Sequence, residues 1–282
     1  LSLRRQRQMC IRDRANSINT NYGAAIALQN LNATNAALST TQNRISTGQK
    51  VSSAKDNGAI FAIATTQRAN MGAMDAVKNS LQRGQSIVDV ALAAGDTATS
   101  ALQEMKALAV NIASSTGDAQ TAYLADYNAL GKEVDSALKG ASFDGVNLWT
   151  ATAVTNLTTN TSGGTYAIGF AAAPSADATL TAVNTGAITA ANATVANVDA
   201  AIKTVTTSLA TLGTQSKSVG RQLTFIGKLQ DATEAGIGNL VDADLAKESA
   251  KLTALQTKQQ LGVQALSIAN SSSQILLSLF RN

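Results

Sequence analysis

The sequence predicts a mainly α-helical fold: long antiparallel coiled-coil helices from both chain ends, with a small β- and loop-rich central region. Two observations carry this prediction. Near both ends, apolar residues recur at alternating spacings of three and four, the pattern of a helix that packs along another helix. The 282 residues are 45% hydrophobic but only 4% aromatic, so small side chains dominate. Such a composition favours close helix packing over an aromatic-lined ligand pocket.

Composition also argues against catalysis. The chain has no histidine, which removes the commonest general base and the commonest metal ligand. Cys10 is the single cysteine, so neither a disulfide framework nor a cysteine-based zinc site is possible. We therefore expect no enzymatic activity, no cofactor and no bound metal.

Residues 1–14 differ in character from the rest of the chain. They contain five arginines and one aspartate, which account for the whole formal net charge of +4. The remainder is neutral, so we expect no cationic face for nucleic acid. The segment has no apolar run long enough for a signal peptide or a membrane span, and we expect no membrane insertion. We interpret it as a non-native basic leader before a natural start near Ala15; a genuine basic extension is the alternative.

A first helix is predicted from Ala24 to Gly48, because glycine at positive φ suits a helix C-terminus. A connector at 49–52 follows it. The apolar stripe of this helix consists of Leu28, Leu31, Leu38 and Ile45.

The spacing of Ser53 and Asp56 resembles a capping box, which predicts a second helix from Ala54 to about Ile112. This helix would be very long. Glycines in a helix interior cost about 1 kcal/mol each relative to alanine, so those inside it predict bends or close contacts. They are Gly72, Gly84 and Gly95.

A third helix is predicted to start at a cap on Asp118 and to end at Gly140. The Asp-Gly pair at 144–145 then predicts a tight hairpin turn. Residues 150–189 are rich in Thr, Ala, Gly and Asn, which indicates short strands and loops.

Helical spacing resumes at Val195 and continues to Ile226. Asn239 is a good N-cap and predicts the start of a last helix. The apolar stripe of this helix contains Val241, Leu245, Leu252, Leu255, Leu266, Leu276 and Phe280. Because this stripe and the first one lie at opposite chain ends, they must pack on each other, on other copies, or on both.

A cluster of carboxylates invites comparison with a magnesium or acid–base site: Asp242, Asp244 and Glu248. We favour a structural interpretation, in which Asp242 caps the last helix. Lys247 and Lys251 stand three residues after Asp244 and Glu248, which is the spacing of ion pairs on a helix surface.

Two parts of the chain resemble the signature sequences of bacterial flagellins. In the N-terminal part, 43–57 reads NRISTGQKVSSAKDN and 61–64 reads FAIA. In the C-terminal part, the similar segments are NLVDADLAKESAKL at 239–252, QQLGVQALSIAN at 259–270 and ILLSLFR at 275–281. The C-terminal likeness is to flagellins of the alphaproteobacterial kind.

The resemblance implies a structural subunit that self-assembles as a homopolymer into the extracellular flagellar filament used for swimming. It also implies secretion through the flagellar export apparatus, binding of a flagellin chaperone, and contact with filament cap and hook-junction proteins. The alternatives are a hook–filament junction protein, which shares the terminal helices, and a generic coiled-coil adaptor, which would not need the motif at 53–57.

The same resemblance implies a division of the chain into an inner tube, an outer tube and a solvent-facing middle. The segments are the leader 1–14, the N-terminal inner-tube helix 15–48, the outer-tube parts 49–149 and 191–236, the variable surface region 150–190, and the C-terminal inner-tube helix 237–282. The assembly seam would then be the stripe residues Leu28, Leu31, Leu38, Ile45, Leu252, Leu255, Leu266, Leu276 and Phe280.

One stretch departs from the family pattern. Many enterobacterial-type flagellins are sensed by the vertebrate Toll-like receptor for flagellin through an outer-tube helix that reads Leu-Gln-Arg-aliphatic-Arg-Glu-Leu. The matching residues 102–108 read LQEMKAL. Glu104 reverses a charge, Lys106 lacks the planar guanidinium, and Ala107 lacks a carboxylate. The altered recognition stretch is therefore Gln103, Glu104, Lys106 and Ala107, and we expect weak activation of that receptor.

Overall fold

The computed structural model describes the backbone of residues 21–279 and the side chains of residues 21–271. The leader 1–14, the Leu276 side chain and Phe280 lie outside the described residues. The elements are α1 Tyr22–Thr47, α2 Gly58–Ser114, α3 Gly117–Gly140, β1 Thr155–Thr158, β2 Thr165–Ile168, α4 Ala178–Asn184, α5 Val195–Val241 and α6 Leu245–Leu279, with a 3-10 turn at Pro174–Ala176. The predicted mainly α fold with a small β-containing centre is confirmed.

The chain forms two compact units. The terminal unit contains the described residues of Leu1–Gln67 and Ala235–Asn282, and so includes α1, α6 and the adjoining ends of α2 and α5. The middle unit is Arg68–Glu234 and contains the rest of α2 and α5 together with the elements between them.

Helix α1 has the caps that its sequence indicates. The Asn21 side chain accepts a hydrogen bond from the Ala24 amide at 2.9 Å, and so caps the first turn. The helix starts at Tyr22, two residues before the predicted position. Gly48 ends it in the left-handed conformation at φ 70°, as predicted.

The predicted start of the second helix at Ala54 is wrong. α2 starts at Gly58, and the Asn57 side chain accepts a hydrogen bond from the Ile60 amide at 3.1 Å. Asp56 does not serve the helix, because its carboxylate folds back and accepts hydrogen bonds from the preceding amides of Ser52 and Ser53. The residues that resemble a capping box therefore form a turn before the helix.

Helix α2 is continuous, and two of its glycines mark close contacts rather than bends. A Cβ at Gly95 would lie 2.7 Å from the Trp149 ring and 2.5 Å from Leu209, while a Cβ at Gly84 would overlap Leu157. A Cβ at Gly72 would have no neighbour within 4 Å. The contact interpretation is confirmed for Gly84 and Gly95.

The core of the middle unit lies where α2, α3 and α5 pack with the central region. Its largest fully buried side chains include Tyr127, Trp149, Leu81, Leu102, Met105 and Leu212. The Trp149 indole nitrogen donates a hydrogen bond to the Ala91 carbonyl at 2.8 Å, so the ring is fixed against α2.

Helix α3 ends at Gly140 as predicted, but Asp118 is not its N-cap. The helix starts at Gly117, and Asp118 lies in its first turn, where a negative charge is favourable. The predicted tight turn is confirmed: Asp144 and Gly145 have φ of 49° and 76°, and the flanking residues exchange two backbone hydrogen bonds.

The central region contains one antiparallel hairpin and one unpredicted helix. Strands β1 and β2 pair from Thr155↔Ile168 to Thr158↔Thr165. Helix α4 was not predicted, because seven residues give too little periodicity to recognise. The available signal was Asp177, whose side chain caps the helix by accepting from the Thr179 amide at 2.9 Å.

The predicted start of the last helix at Asn239 is also wrong. Helix α5 continues through Asn239 to Val241, since this extension buries Ile237 and Val241. Asp244 is the cap of α6, with its carboxylate accepting from the Lys247 amide at 3.1 Å.

Candidate assembly surface

In the terminal unit, α1 and α6 pack along each other as an antiparallel pair with a heptad pattern on both helices. Seven of the less exposed positions of α1 follow this pattern: Ala24, Ala27, Leu31, Thr34, Leu38, Thr41 and Ile45. Ala37 and Arg44 are also less exposed and directly precede Leu38 and Ile45. The less exposed positions of α6 are Glu248, Leu252, Leu255, Gln259, Gly262, Leu266 and Ala269. Each set alternates spacings of three and four, which is the pattern of a coiled-coil interface. We call these fourteen residues the terminal seam.

Specific contacts fix the register of the terminal seam. At one end, the Asn21 side-chain amide donates to the Ala269 carbonyl at 2.7 Å. Near the middle, the Gln259 side chain donates to the Asn35 side chain at 2.8 Å. A Cβ at Gly262 would lie 3.3 Å from Leu31, so the helices approach closely there because glycine lacks a side chain.

Most of the predicted stripe residues belong to the terminal seam. They are Leu31, Leu38 and Ile45 of α1 and Leu252, Leu255 and Leu266 of α6. Leu28 does not belong to it, since its side chain is 48% exposed. The side chains of Leu276 and Phe280 lie outside the described residues.

The terminal unit leaves many large apolar side chains uncovered within one chain. They are Tyr22, Ile26, Leu28, Ile63, Leu240, Leu245, Leu261, Val263 and Ile268. Ile268, with 67% of its surface exposed, is among the least covered. Exposed apolar residues at this density are typical of a surface that binds another protein.

The connectors beside the two terminal helices are joined by backbone hydrogen bonds. Gln49 and Asp242 form an antiparallel bridge. The Lys50 amide donates to the Val241 carbonyl at 2.7 Å, and the Ala243 amide donates to the Gly48 carbonyl at 2.8 Å. Asp242 therefore lies in a bridge, and its predicted capping role is wrong. Sequence reasoning missed this link because it joins residues far apart in the chain.

The carboxylates near this bridge have structural partners. Glu248 pairs with Arg44 at 3.1 Å and with Lys251 at 3.9 Å, which confirms the predicted pair with Lys251. The contact between Lys247 and Asp244 is a hydrogen bond from the Lys247 backbone amide to the Asp244 carboxylate, not the predicted ion pair. Within residues 21–279, no group of three or more His, Cys, Asp or Glu is arranged to hold a metal ion.

Asp56 stabilises the turn before α2. Its carboxylate accepts hydrogen bonds from the backbone amides of Ser53 and Ser52 and from both hydroxyls. The backbone hydrogen bonds, first from Ser53 and then from Ser52, hold the pKa of Asp56 below its usual value of 3.8.

The altered recognition stretch lies on an accessible face of α2 in the middle unit. Gln103, Glu104 and Ala107 are exposed. Lys106 is about half exposed and pairs with Asp199 of α5 at 2.6 Å. Leu102 and Met105 are fully buried, and their burial fixes which face of α2 is exposed.

Comparison with known proteins matches both helical ends of the chain. The bacterial flagellin N-terminal helical region matches residues 18–154, and the bacterial flagellin C-terminal helical region matches residues 195–280. Flagellin FljK of Caulobacter vibrioides is 53% identical over 271 residues, which cover 94% of this chain and 99% of that protein. The chain belongs to the bacterial flagellin family.

Other relatives of this flagellin also match along nearly their whole length. A flagellin of Brucella melitensis is 38% identical and flagellin C of Rhizobium meliloti is 33% identical, each with 94% of this chain and 99% of the relative covered. The resemblance to alphaproteobacterial flagellins is thus confirmed.

Membership of this family settles the class of function. This flagellin is a structural subunit of the flagellar filament and not an enzyme, and the hook–filament junction alternative is not favoured. Among the residues that the structure describes, no helix has the length and hydropathy needed to cross a membrane.

Proposed function

We propose that the terminal unit carries self-assembly and that the predicted stripe residues are its assembly seam. The single observation that carries the proposal is the combination of a paired α1–α6 seam with apolar side chains left exposed around it. A paired seam gives each copy a defined helical surface, and the exposed side chains require further copies to cover them. Leu28, outside the seam of its own chain, would contact a neighbouring copy.

In this proposal the segments 15–48 and 237–282 line the inner tube of the filament. The segments 49–149 and 191–236 form the outer tube, and residues 150–190 face solvent. The support is that the exposed apolar side chains of α1 and α6 need a crowded environment, while the middle unit has a core of its own.

The proposal extends to the partners and location that family membership implies. The subunit would be secreted through the flagellar export apparatus, bound by a flagellin chaperone beforehand, and incorporated beneath the filament cap beyond the hook-junction proteins. The exposed apolar residues of α6, Leu261, Val263 and Ile268, are a surface that a chaperone would have to cover before assembly.

Truncation tests the role of α6. Removing the residues after Leu261 deletes Gly262, Leu266 and Ala269 from the terminal seam together with the exposed Ile268. We expect the truncated chain to remain in the supernatant under conditions where the full chain sediments as filaments. The near-ultraviolet signal of Trp149, buried in the middle unit, should persist. Filaments of the truncated chain in electron micrographs would contradict the proposal.

A point substitution tests the exposed surface without shortening the chain. Ile268→Asp places a charge on the outward side of α6 and should block sedimentation while leaving the helix content of the monomer unchanged. Gln256→Asp introduces the same residue at an exposed polar position of the same helix and should still assemble. Equal filament yields from the two variants would show that Ile268 makes no assembly contact.

A further inference from the structure

An acidic groove lies between α2 and α3 in the middle unit. Its volume is about 480 Å³, and it is lined by Glu104, Ala107 and Leu108 of α2 and by Asp126, Ala129 and Leu130 of α3. Both carboxylates are exposed, and neither forms an ion pair with another described residue. The groove therefore offers an apolar floor and two free negative charges.

A basic patch of matching character lies on α5. Arg221, Phe225, Lys228 and Leu229 follow one another at helical spacings of four, three and one, so they share one face. Phe225 is 58% exposed, and Leu229 is also exposed. Arg221 and Lys228 are exposed on either side of Phe225, and among the described residues neither has an ion-pair partner. An exposed aromatic ring between two cations is typical of a binding surface.

The groove and the patch of one chain cannot meet. Helices α2 and α5 run antiparallel in the middle unit, as the pairs Lys106–Asp199, Gln85–Ser216 and Asp75–Gln230 show. The patch therefore lies level with α2 residues between 75 and 85, whereas the groove lies at 104–108. Roughly 25 residues separate them, which is about 40 Å along a helix.

We infer that the acidic groove of one copy receives the basic patch of a second copy. Glu104 and Asp126 would face Arg221 and Lys228 of the neighbour, and Phe225 would enter between Leu108 and Leu130. The two surfaces are opposite in charge, both have apolar side chains at their centre, and neither has an ion-pair partner among the described residues of its own chain. Because the contact joins two different surfaces, each docked pair leaves one groove and one patch free, so further copies can add. The inference rests on the proposed self-assembly and names one contact within it.

Charge reversal tests the contact in the full chain. One variant carries Glu104→Lys and Asp126→Lys, so that groove and patch are both positive. The other carries Arg221→Glu and Lys228→Glu, so that both are negative. At low salt, each variant alone should need at least a tenfold higher protein concentration to form sedimentable filaments, because like charges meet at every contact. An equal mixture should assemble near the wild-type concentration, since each variant then meets its complement.

A control pair has reversals at exposed residues of the same unit outside both surfaces. Asp118→Lys with Lys203→Glu should assemble as the wild-type chain does. Circular dichroism of all variants should match, because every changed side chain is exposed. The inference would be overturned if either charge-reversal variant alone assembled at the wild-type concentration. It would also be overturned if the mixture needed as high a protein concentration as each variant alone. Neither result would contradict the proposed function. The proposed function fails only if the wild-type chain does not assemble.

Discussion

Arg44 of α1 and Glu248 of α6 form an ion pair at 3.1 Å across the terminal seam, although they are 204 residues apart in the chain. The Glu248 side chain is only 13% exposed and that of Arg44 31%. Arg44 Nε and Glu248 Oε2 are buried and have no hydrogen-bond partner among the described residues. Glu248 is the ion-pair partner of Arg44, whereas Glu248 has a second, longer contact with Lys251 at 3.9 Å. The Arg44–Glu248 pair fixes which positions of α1 and α6 face each other.

Removing one member of this pair should cost more than removing both. Glu248→Ala leaves the Arg44 charge partly buried without its partner, and should lower the free energy of unfolding of the terminal unit by about 2 kcal/mol. The double variant Arg44→Met with Glu248→Leu should recover most of that loss, since apolar side chains suit the seam. Amide hydrogen exchange in α1 and α6 measures both effects. If the double variant loses as much free energy of unfolding as the single variant, or more, the pair is not an isolated charge contact.

The turn before α2 should be sensitive to acid through Asp56. Its pKa is lowered from 3.8 because the charged carboxylate accepts backbone hydrogen bonds from Ser53 and Ser52. A carboxyl with a lowered folded-state pKa stabilises the turn fully above pH 3.8, and this contribution is lost as the pH falls through the folded-state value.

Amide resonances or exchange rates of Ser52 and Ser53 should therefore change below pH 3.8. In Asp56→Asn these amides should be less protected at neutral pH and should show no such transition. A transition at the same pH in Asp56→Asn would assign it to a different group.

The glycines of α2 provide a matched comparison. Alanine at Gly72 adds a methyl group in open space on an exposed helix face, so Gly72→Ala should stabilise the protein by roughly 0.5–1 kcal/mol. Gly95→Ala gains the same helix propensity but forces its Cβ against Trp149 and Leu209. Overpacking of that kind costs about 1–3 kcal/mol, so the net effect should be destabilising. Chemical denaturation monitored by Trp149 fluorescence measures the change in the free energy of unfolding for both variants. Stabilisation by Gly95→Ala would show that the Trp149 ring moves aside freely.

The sequence predicts the helices well and their boundaries less well, for a physical reason. Heptad spacing around Leu31 and Leu252 survives in the folded chain because burial along a partner helix imposes it. The predicted starts of α2 and α6 are wrong because several residues near each could serve as a cap. Ser53 and Asn239 are plausible caps locally, but Asn57 and Asp244 cap the helices. The bridge between Gln49 and Asp242, which a local pattern cannot show, lies beside both helix starts.

The candidate assembly surface could likewise be predicted only in part from the sequence. Periodicity predicts the six leucine and isoleucine positions of the seam. It does not predict the exclusion of Leu28, since three-and-four spacing alone fits Leu28 as well as its neighbours. The polar contacts of the seam, such as Arg44 with Glu248, depend on how the two chain ends are aligned. The acidic groove requires α2 and α3 to come together, so neither helix alone predicts it.

The last prediction concerns the vertebrate Toll-like receptor that senses flagellin. The altered recognition stretch keeps its buried residues Leu102 and Met105, so the helix face is preserved while its exposed chemistry differs. Glu104 presents a negative charge where the family pattern has arginine, and Ala107 lacks the carboxylate. Lys106 is engaged by Asp199 at 2.6 Å and lacks the fork geometry of arginine.

We therefore expect the monomer to activate the receptor poorly, because losing a buried interfacial charge pair typically costs about 2–5 kcal/mol, or at least tens of times in affinity. Glu104→Arg with Ala107→Glu should partly restore activation in a reporter-cell assay on monomeric protein. Asp96→Arg with Ala93→Glu replaces an acidic residue by arginine and an alanine by glutamate at exposed positions elsewhere on α2, and should restore nothing. If these positions have no role in recognition, the unmodified monomer will activate the cells as strongly as an enterobacterial flagellin does, and the prediction is then wrong.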